Sequence, residues 1–295
     1  MAIFPTPDRT VAGILFMCLA GSVFPLMNGF VQVLATDYAL EQLVWFRIVG
    51  HFVFMYALFA PKFGLGIIRT QRLGLQLARS AALLASTICF FFGIKYLPLA
   101  QATAISFTTP FIVVLLAVPF LGERLDMARL IGVAIGFAGV LVIVRPGTDV
   151  FHWASVVIVA SALFYGSYQI ITRKVGTWDR PETSSIYSAV VGSVAMLAVL
   201  PFIWKTPDTL TDWALIASLG FLGGLAHYFV AKALTLAPAG VVAPFMYFQI
   251  IGSVVVGYAL TGKMPDIATW AGAAIIVGAG IYVGWAETRV KKAAA

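Results

Sequence analysis

Charge is scarce in this chain. Its 295 residues include 19 Lys and Arg and 12 Asp and Glu, 11% in all, where a soluble domain carries about 25%. With 61% hydrophobic residues, that shortage excludes a soluble enzyme. It also excludes a disordered chain, which needs low hydrophobicity. Cysteine is nearly absent: Cys18 and Cys89 each lie in an apolar run, so no disulfide framework is indicated. Asparagine occurs once, at Asn28. All twelve carboxylates fall in loops, tails or the ends of apolar runs. The sequence has no Walker-type phosphate loop and no HExxH, CxxC or GxSxG pattern. No cofactor, metal site or catalytic nucleophile is therefore expected.

What the chain does have is long apolar runs. A helix that crosses a bilayer needs about 20 such residues. The runs are Val11–Leu34, Leu43–Ala60, Leu75–Tyr96, Leu99–Leu121, Leu130–Val144, Trp153–Thr172, Thr183–Trp204, Trp213–Ala231, Ala233–Leu260 and Ile267–Ala286. They predict an all-α integral membrane protein of ten transmembrane helices. The first run exceeds the apolar stretch of a signal peptide, about 7–15 residues, and reads as a retained helix. The third holds Arg79 and the fifth is short, so a snorkelling side chain and a thinned bilayer are expected there. Little more than Lys232 separates the eighth from the ninth. Pro25, Pro110, Pro201 and Pro244 lie inside runs, while all seven tryptophans lie at or near run ends, as an interfacial belt requires.

With the N-terminus inside, the cytoplasmic segments hold 14 basic residues and the outer loops 4. The positive-inside rule thus predicts both termini in the cytoplasm. It also disposes of a nucleic-acid partner, because the net charge of +7 coats one membrane face. The expected partners are the bilayer and a small-molecule substrate.

Displaced by 140 residues, the chain overlays itself. Pro98 falls on Pro238, Gly122 on Gly262, Gly132 on Gly272, Ala134 on Ala274, Ile135 on Ile275 and Phe24 on Phe164. Residues 1–146 and 147–295 read as two five-helix repeats. Because five is odd, the second enters the membrane in the opposite sense. Inverted repeats of this kind build secondary transporters, with the site at the midplane between halves.

The stretch from Tyr96 to Ile143 carries a proline-containing helix, the loop Gly122-Glu123-Arg124 and a glycine-rich helix, and the second half repeats the pattern. With Arg47 in span two and ALFYGSYQIITRK in span six, nearly the whole chain resembles the EamA-type members of the drug/metabolite transporter superfamily. One departure is Lys263, where that family often has Glu. The resemblance implies transport of small metabolites across a bacterial inner membrane. The branch most similar in appearance exports amino acids and related compounds, aromatic ones included. The expected protein is a monomer or weak dimer working by alternating access. The alternatives are a proton-coupled antiporter using His227 and a channel-like pore.

Candidate site residues follow from helical spacing. Gly21, Pro25 and Asn28 share a face of span one, and Ser161, Tyr165 and Tyr168 are their counterparts in span six. A lone amide in hydrocarbon needs a partner or a wet cavity. Tyrosine, with an apolar body and a polar tip, suits amphipathic solutes. His227 lies deep in its span, with Thr87 as its repeat counterpart and His51 as a rival; His152, at a span end, needs no role. Span four contributes Thr103 and Phe107 near Ser106 and Pro110, where the proline is expected to bare carbonyls to solute. Span nine contributes Tyr247 and Gln249 beside Met246. The expected binding set is Pro25, Asn28, Thr87, Thr103, Phe107, Tyr165, Tyr168, His227, Tyr247 and Gln249, around one central cavity. Arg47 either neutralises a carboxylate or snorkels outward. The spacings Gly132–Gly136 and Gly280–Gly284 read as close helix packing.

Overall fold

A computed structural model describes residues 7–64, 68–122, 127–148, 151–236 and 243–293. Among the described residues every regular element is helical. The α-helices are α1 (Pro7–Leu34), α2 (Leu40–Phe63), α3 (Leu73–Tyr96), α4 (Leu99–Ser106), α5 (Thr109–Leu121), α6 (Met127–Val144), α7 (Ala154–Val175), α8 (Pro181–Ile203), α9 (Leu210–Leu236), α10 (Phe248–Thr261) and α11 (Ile267–Ala293). A 3-10 turn, Ala243–Tyr247, precedes α10. Helices α4 and α5 share one crossing, so the chain forms ten, arranged as two five-helix inverted repeats. Seven are long and apolar enough to cross a membrane by that measure alone, and three shorter apolar helices complete the set.

The sequence boundaries move in physically readable ways. Helix α6 gains a turn at its start and spans 18 residues, which relieves the short fifth run. Helix α9 continues past Lys232 to Leu236, so Lys232 is helical. Glu123, Arg124 and Pro238 of the repeat motifs lie outside the described residues, as do the surroundings of Pro244 and Gly284. Arg79 does not snorkel: α3 begins at Leu73, and the guanidinium is turned inward and buried.

The fourth crossing breaks at Phe107–Thr108. Pro110 has no N–H to give the Ser106 carbonyl, and the Thr109 hydroxyl donates to that carbonyl instead, at 2.8 Å. The hydroxyls of Ser106 and Thr108 likewise donate to the Thr103 and Ile105 carbonyls, each at 2.7 Å. The expectation of carbonyls bared to solute therefore fails for these three, because neighbouring hydroxyls satisfy them. The 3-10 turn at Ala243–Tyr247 puts the counterpart irregularity 140 residues on. Each broken crossing ends on a left-handed glycine, Gly122 (φ 69°) and Gly262 (φ 67°), a conformation that L side chains resist.

Most close packing joins one half to the other. Helix α1 packs on α9 as α7 packs on α3; α2 packs on α9 as α8 packs on α3; α1 packs on α10 as α7 packs on α4 and α5. The remaining major pairs, α2 with α8, α4 with α10 and α6 with α11, are their own counterparts. This is the pattern a two-fold axis imposes. Glycines permit the closest crossings: a Cβ on Gly50 of α2 would lie 2.7 Å from Gly220 Cα of α9, and one on Gly139 of α6 would lie 3.0 Å from the Gly272 carbonyl of α11. Gly132 faces Val283, Gly136 faces Phe111 and Gly280 faces the Tyr247 hydroxyl, so these three serve packing within the chain. At the periphery, Phe202, Leu210 and Ile267 are 87%, 86% and 87% exposed, as residues solvated by lipid should be.

Candidate functional site

A small cavity lies between the halves, lined by Arg47, Ile48 and His51 of α2, Leu83, Leu84 and Thr87 of α3, Ser188 and Ala189 of α8, and His227 of α9. Two pairs of repeat counterparts, Thr87 with His227 and Ile48 with Ser188, are in its wall, so the cavity straddles the pseudo-two-fold axis. The His51 and His227 rings are 5.4 Å apart between centroids, and Phe24 closes edge-on against His227 at 5.1 Å. The cavity volume is about 20 Å³, room for about one water molecule. Anything larger than water must part these helices to enter.

Arg47 reaches across from α2. Its Nη1 donates to Thr87 Oγ1 at 3.1 Å, and its guanidinium carbon lies 5.6 Å from the centre of the Phe91 ring. It neither snorkels nor meets a carboxylate among the described residues. Arg79 lies deeper in a polar network. Its Nε donates to Thr172 Oγ1 at 2.6 Å, its Nη1 to the Ser184 carbonyl, and its Nη2 to the Tyr168 hydroxyl at 2.9 Å. The same guanidinium carbon is 4.6 Å from the Tyr168 ring centre. Tyr165 stacks on Tyr168, with centroids 5.4 Å apart and planes 17° from parallel.

The expected site set divides. Thr87 and His227 line the cavity; Tyr168 contacts Arg79, which is not in the cavity wall, and Tyr165 stacks on Tyr168. Asn28 is buried. The others belong to helix contacts. Pro25 packs where a Cβ on Gly252 would lie 2.9 Å from its ring, and the Gln249 backbone nitrogen would lie 3.1 Å from a Cβ on Gly21. Thr103 shares a hydrogen bond of 2.8 Å with Ser253. Phe107 meets Tyr247 edge-on, with centroids 4.9 Å apart. Sequence reasoning left Arg47 undecided, treated Arg79 as a membrane-surface residue and passed over Ser188. The available signal was a pair of arginines inside apolar runs, which are costly unless their N–H groups are used.

Latches close the bundle at both ends. On one face, Asp179 of the α7–α8 loop accepts hydrogen bonds from Thr70 Oγ1, from the Gln71 N–H at 2.9 Å and from Gln76 Nε2 at 2.8 Å. Burial works to raise this carboxyl's pKa, but the three donors outweigh it and hold it below the usual 3.8. Gln76 also donates to Ser184 Oγ at 2.9 Å, which joins the latch to the Arg79 network. On the opposite face, Gln42 exchanges two hydrogen bonds with the Lys205 backbone, of 2.8 and 3.0 Å. Tyr38 there donates to Asp212 at 2.9 Å. The loops paired on one face are the repeat counterparts of those paired on the other.

Comparison with known proteins agrees with this architecture. The EamA-like transporter family model matches residues 11–145 and again 152–284. A riboflavin transporter of Rhizobium johnstonii is 33% identical over 94% of this chain and 92% of its own length. An S-adenosylmethionine uptake transporter of Rickettsia conorii is 28% identical over 78% of each chain. A pseudopaline exporter of Pseudomonas aeruginosa is 29% identical over 97% of this chain and 99% of its own. One solved crystal structure superposes with a TM-score of 0.67 at 18% identity, covering 96% of this chain and 98% of the other; that likeness shows the fold alone.

Proposed function

The chain belongs to the EamA-like transporter family and is a membrane transporter, and on that premise we propose that it is a facilitative carrier for amphipathic, ring-bearing metabolites. The observation that supports this reading is a stacked tyrosine pair on α7, which packs on α3, one of the helices that wall a cavity of hydroxyl, imidazole and guanidinium groups. Rings accept a flat solute by stacking, and the polar groups orient it. Riboflavin is the first solute to test, because relatives spread along the full chain are named for it. Neutral and aromatic amino acids are the second.

The coupling argument rests on the acids. A proton-driven carrier usually holds an Asp or Glu inside the membrane. The twelve carboxylates of this chain occupy loops, tails or helix ends. A uniporter runs down whichever gradient exists, and export follows where the metabolite accumulates in the cytoplasm of a bacterium. In this reading the carrier sits in the inner membrane with the basic face and both termini inside, and residues 1–146 and 147–295 are the two halves that rock about the site. The competing reading, a proton-coupled antiporter, draws on the facing His51 and His227 rings.

Sealed proteoliposomes decide between them. Labelled riboflavin and tryptophan should equilibrate with no ion gradient, saturably, and an imposed pH gradient should not drive accumulation above equilibrium. Concentrative uptake that a protonophore abolishes would replace the uniport reading with the antiport one.

A further inference from the structure

We infer that Arg47 selects the solute, by presenting one edge of its guanidinium to two adjacent acceptors on the solute: a carboxylate, or a ring nitrogen beside a carbonyl. The inference rests on the carrier reading above and adds the recognition chemistry to it.

A guanidinium has five N–H donors in a fixed plane. Nη1 lies on the side of Cδ, so the hydrogens of Nε and Nη2 point together along the opposite edge. In Arg47 the single bond to Thr87 uses Nη1. Nε is buried and, among the described residues, has no acceptor. Nη2 has none either among the described residues. The unused donors are therefore the pair that binds a carboxylate through two parallel bonds. The residue of α9 beside Nε is Gly223, and a Cβ there would stand 3.7 Å from that nitrogen.

Arg79 is the internal control. All three of its nitrogens donate to Thr172, Ser184 and Tyr168, with a further contact to Gln76. It is consumed by structure and has no free edge. Arg47 also has no equivalent across the pseudo-two-fold axis. Its counterpart, Tyr187, donates its hydroxyl to the Ile68 carbonyl near the membrane surface. The cavity wall therefore holds one guanidinium, that of Arg47, and no carboxylate. A solute whose acceptor pair completes this edge and whose ring reaches Tyr165 is the one that fits.

The test uses full-length protein in detergent and in liposomes. Displacement of labelled tryptophan from purified protein is measured for indole-3-acetate, tryptophan, tryptophan amide and tryptamine, alongside riboflavin. Compounds that keep an acceptor pair should compete about tenfold or more better than the amide and the amine. Arg47→Lys keeps the charge but loses the planar fork, and should level that ranking. Its monodispersity on size exclusion reports folding, and the wild-type ranking stands whether or not the variant folds. Equal competition by tryptamine, an Arg47→Lys protein that ranks solutes as wild type does, or failure of both tryptophan and riboflavin to bind would each overturn the inference. Selective binding without flux in liposomes would leave it standing and sink the carrier reading instead.

Discussion

The rings of Phe107 and Tyr247 touch at 4.9 Å between centroids, with planes 60° apart, and the two residues stand 140 positions apart in the chain. Each occupies the break of its own broken crossing. Repeat counterparts that touch one another must lie on the axis that relates the repeats, so this contact marks that axis. A double-mutant cycle on thermal unfolding, Phe107→Ala with Tyr247→Ala, should give a coupling of about 0.5–1.5 kcal/mol. Strict additivity would show that the contact holds nothing together.

The Asp179 latch should open one face only. In a background with Cys18 and Cys89 replaced by serine, a reporter Ser188→Cys lines the cavity. Asp179→Asn removes charge-assisted bonds worth about 1.5–3 kcal/mol each. Labelling of the reporter by an impermeant thiol reagent should rise several-fold from the basic face. Gln42→Leu should raise it from the opposite face. The same face responding to both variants would contradict two separate latches.

The pH response of that latch has a definite sign. A carboxyl whose folded pKa lies below its ordinary 3.8 contributes stability above that value, and loses it as pH falls through the depressed one. With Asp179 intact, the reporter's labelling rate, taken as a ratio to that of the Asp179→Asn protein at each pH to cancel the thiol's own ionisation, should therefore be flat between about pH 5 and 8 and increase only below about pH 4. An increase centred near neutrality would assign the latch to another group.

Gly50→Ala should lower the unfolding temperature in detergent, because its Cβ would meet Gly220 Cα at 2.7 Å. Backbone cannot yield as a side-chain tip does, and overpacking costs about 1–3 kcal/mol. Gly220→Ala strikes the same crossing, so the double variant should fall short of the sum. Gly74→Ala, with nothing within 4 Å, should leave the temperature unchanged.

The orientation is tested by single cysteines at Thr148 and Thr177, in loops on opposite faces. Thr148→Cys should label from outside intact cells and Thr177→Cys only after permeabilisation. The reverse pattern would invert the topology.

By itself the sequence determined the class, the ten crossings and the inverted duplication. These depend on composition, run length and a fixed offset, and hydrocarbon solvent admits few alternatives to helices. It also carried the pairs Gly122 with Gly262 and Thr87 with His227, because repeat counterparts share surroundings. Only the tertiary structure decided what each inward polar residue does. Arg47 and Arg79 both read as arginines in apolar runs, yet one has all its nitrogens engaged and the other keeps an edge free. That difference comes from which helices cross beside them: α7 and α8 bring Thr172, Ser184 and Tyr168 to Arg79, whereas α9 brings Gly223 to Arg47. Thr103 and Tyr247 had the spacing of a site and meet Ser253 and Phe107 on neighbouring elements for the same reason. A one-dimensional pattern shows which side chains share a face, and the face a helix turns toward a cavity is set by the partners it packs on.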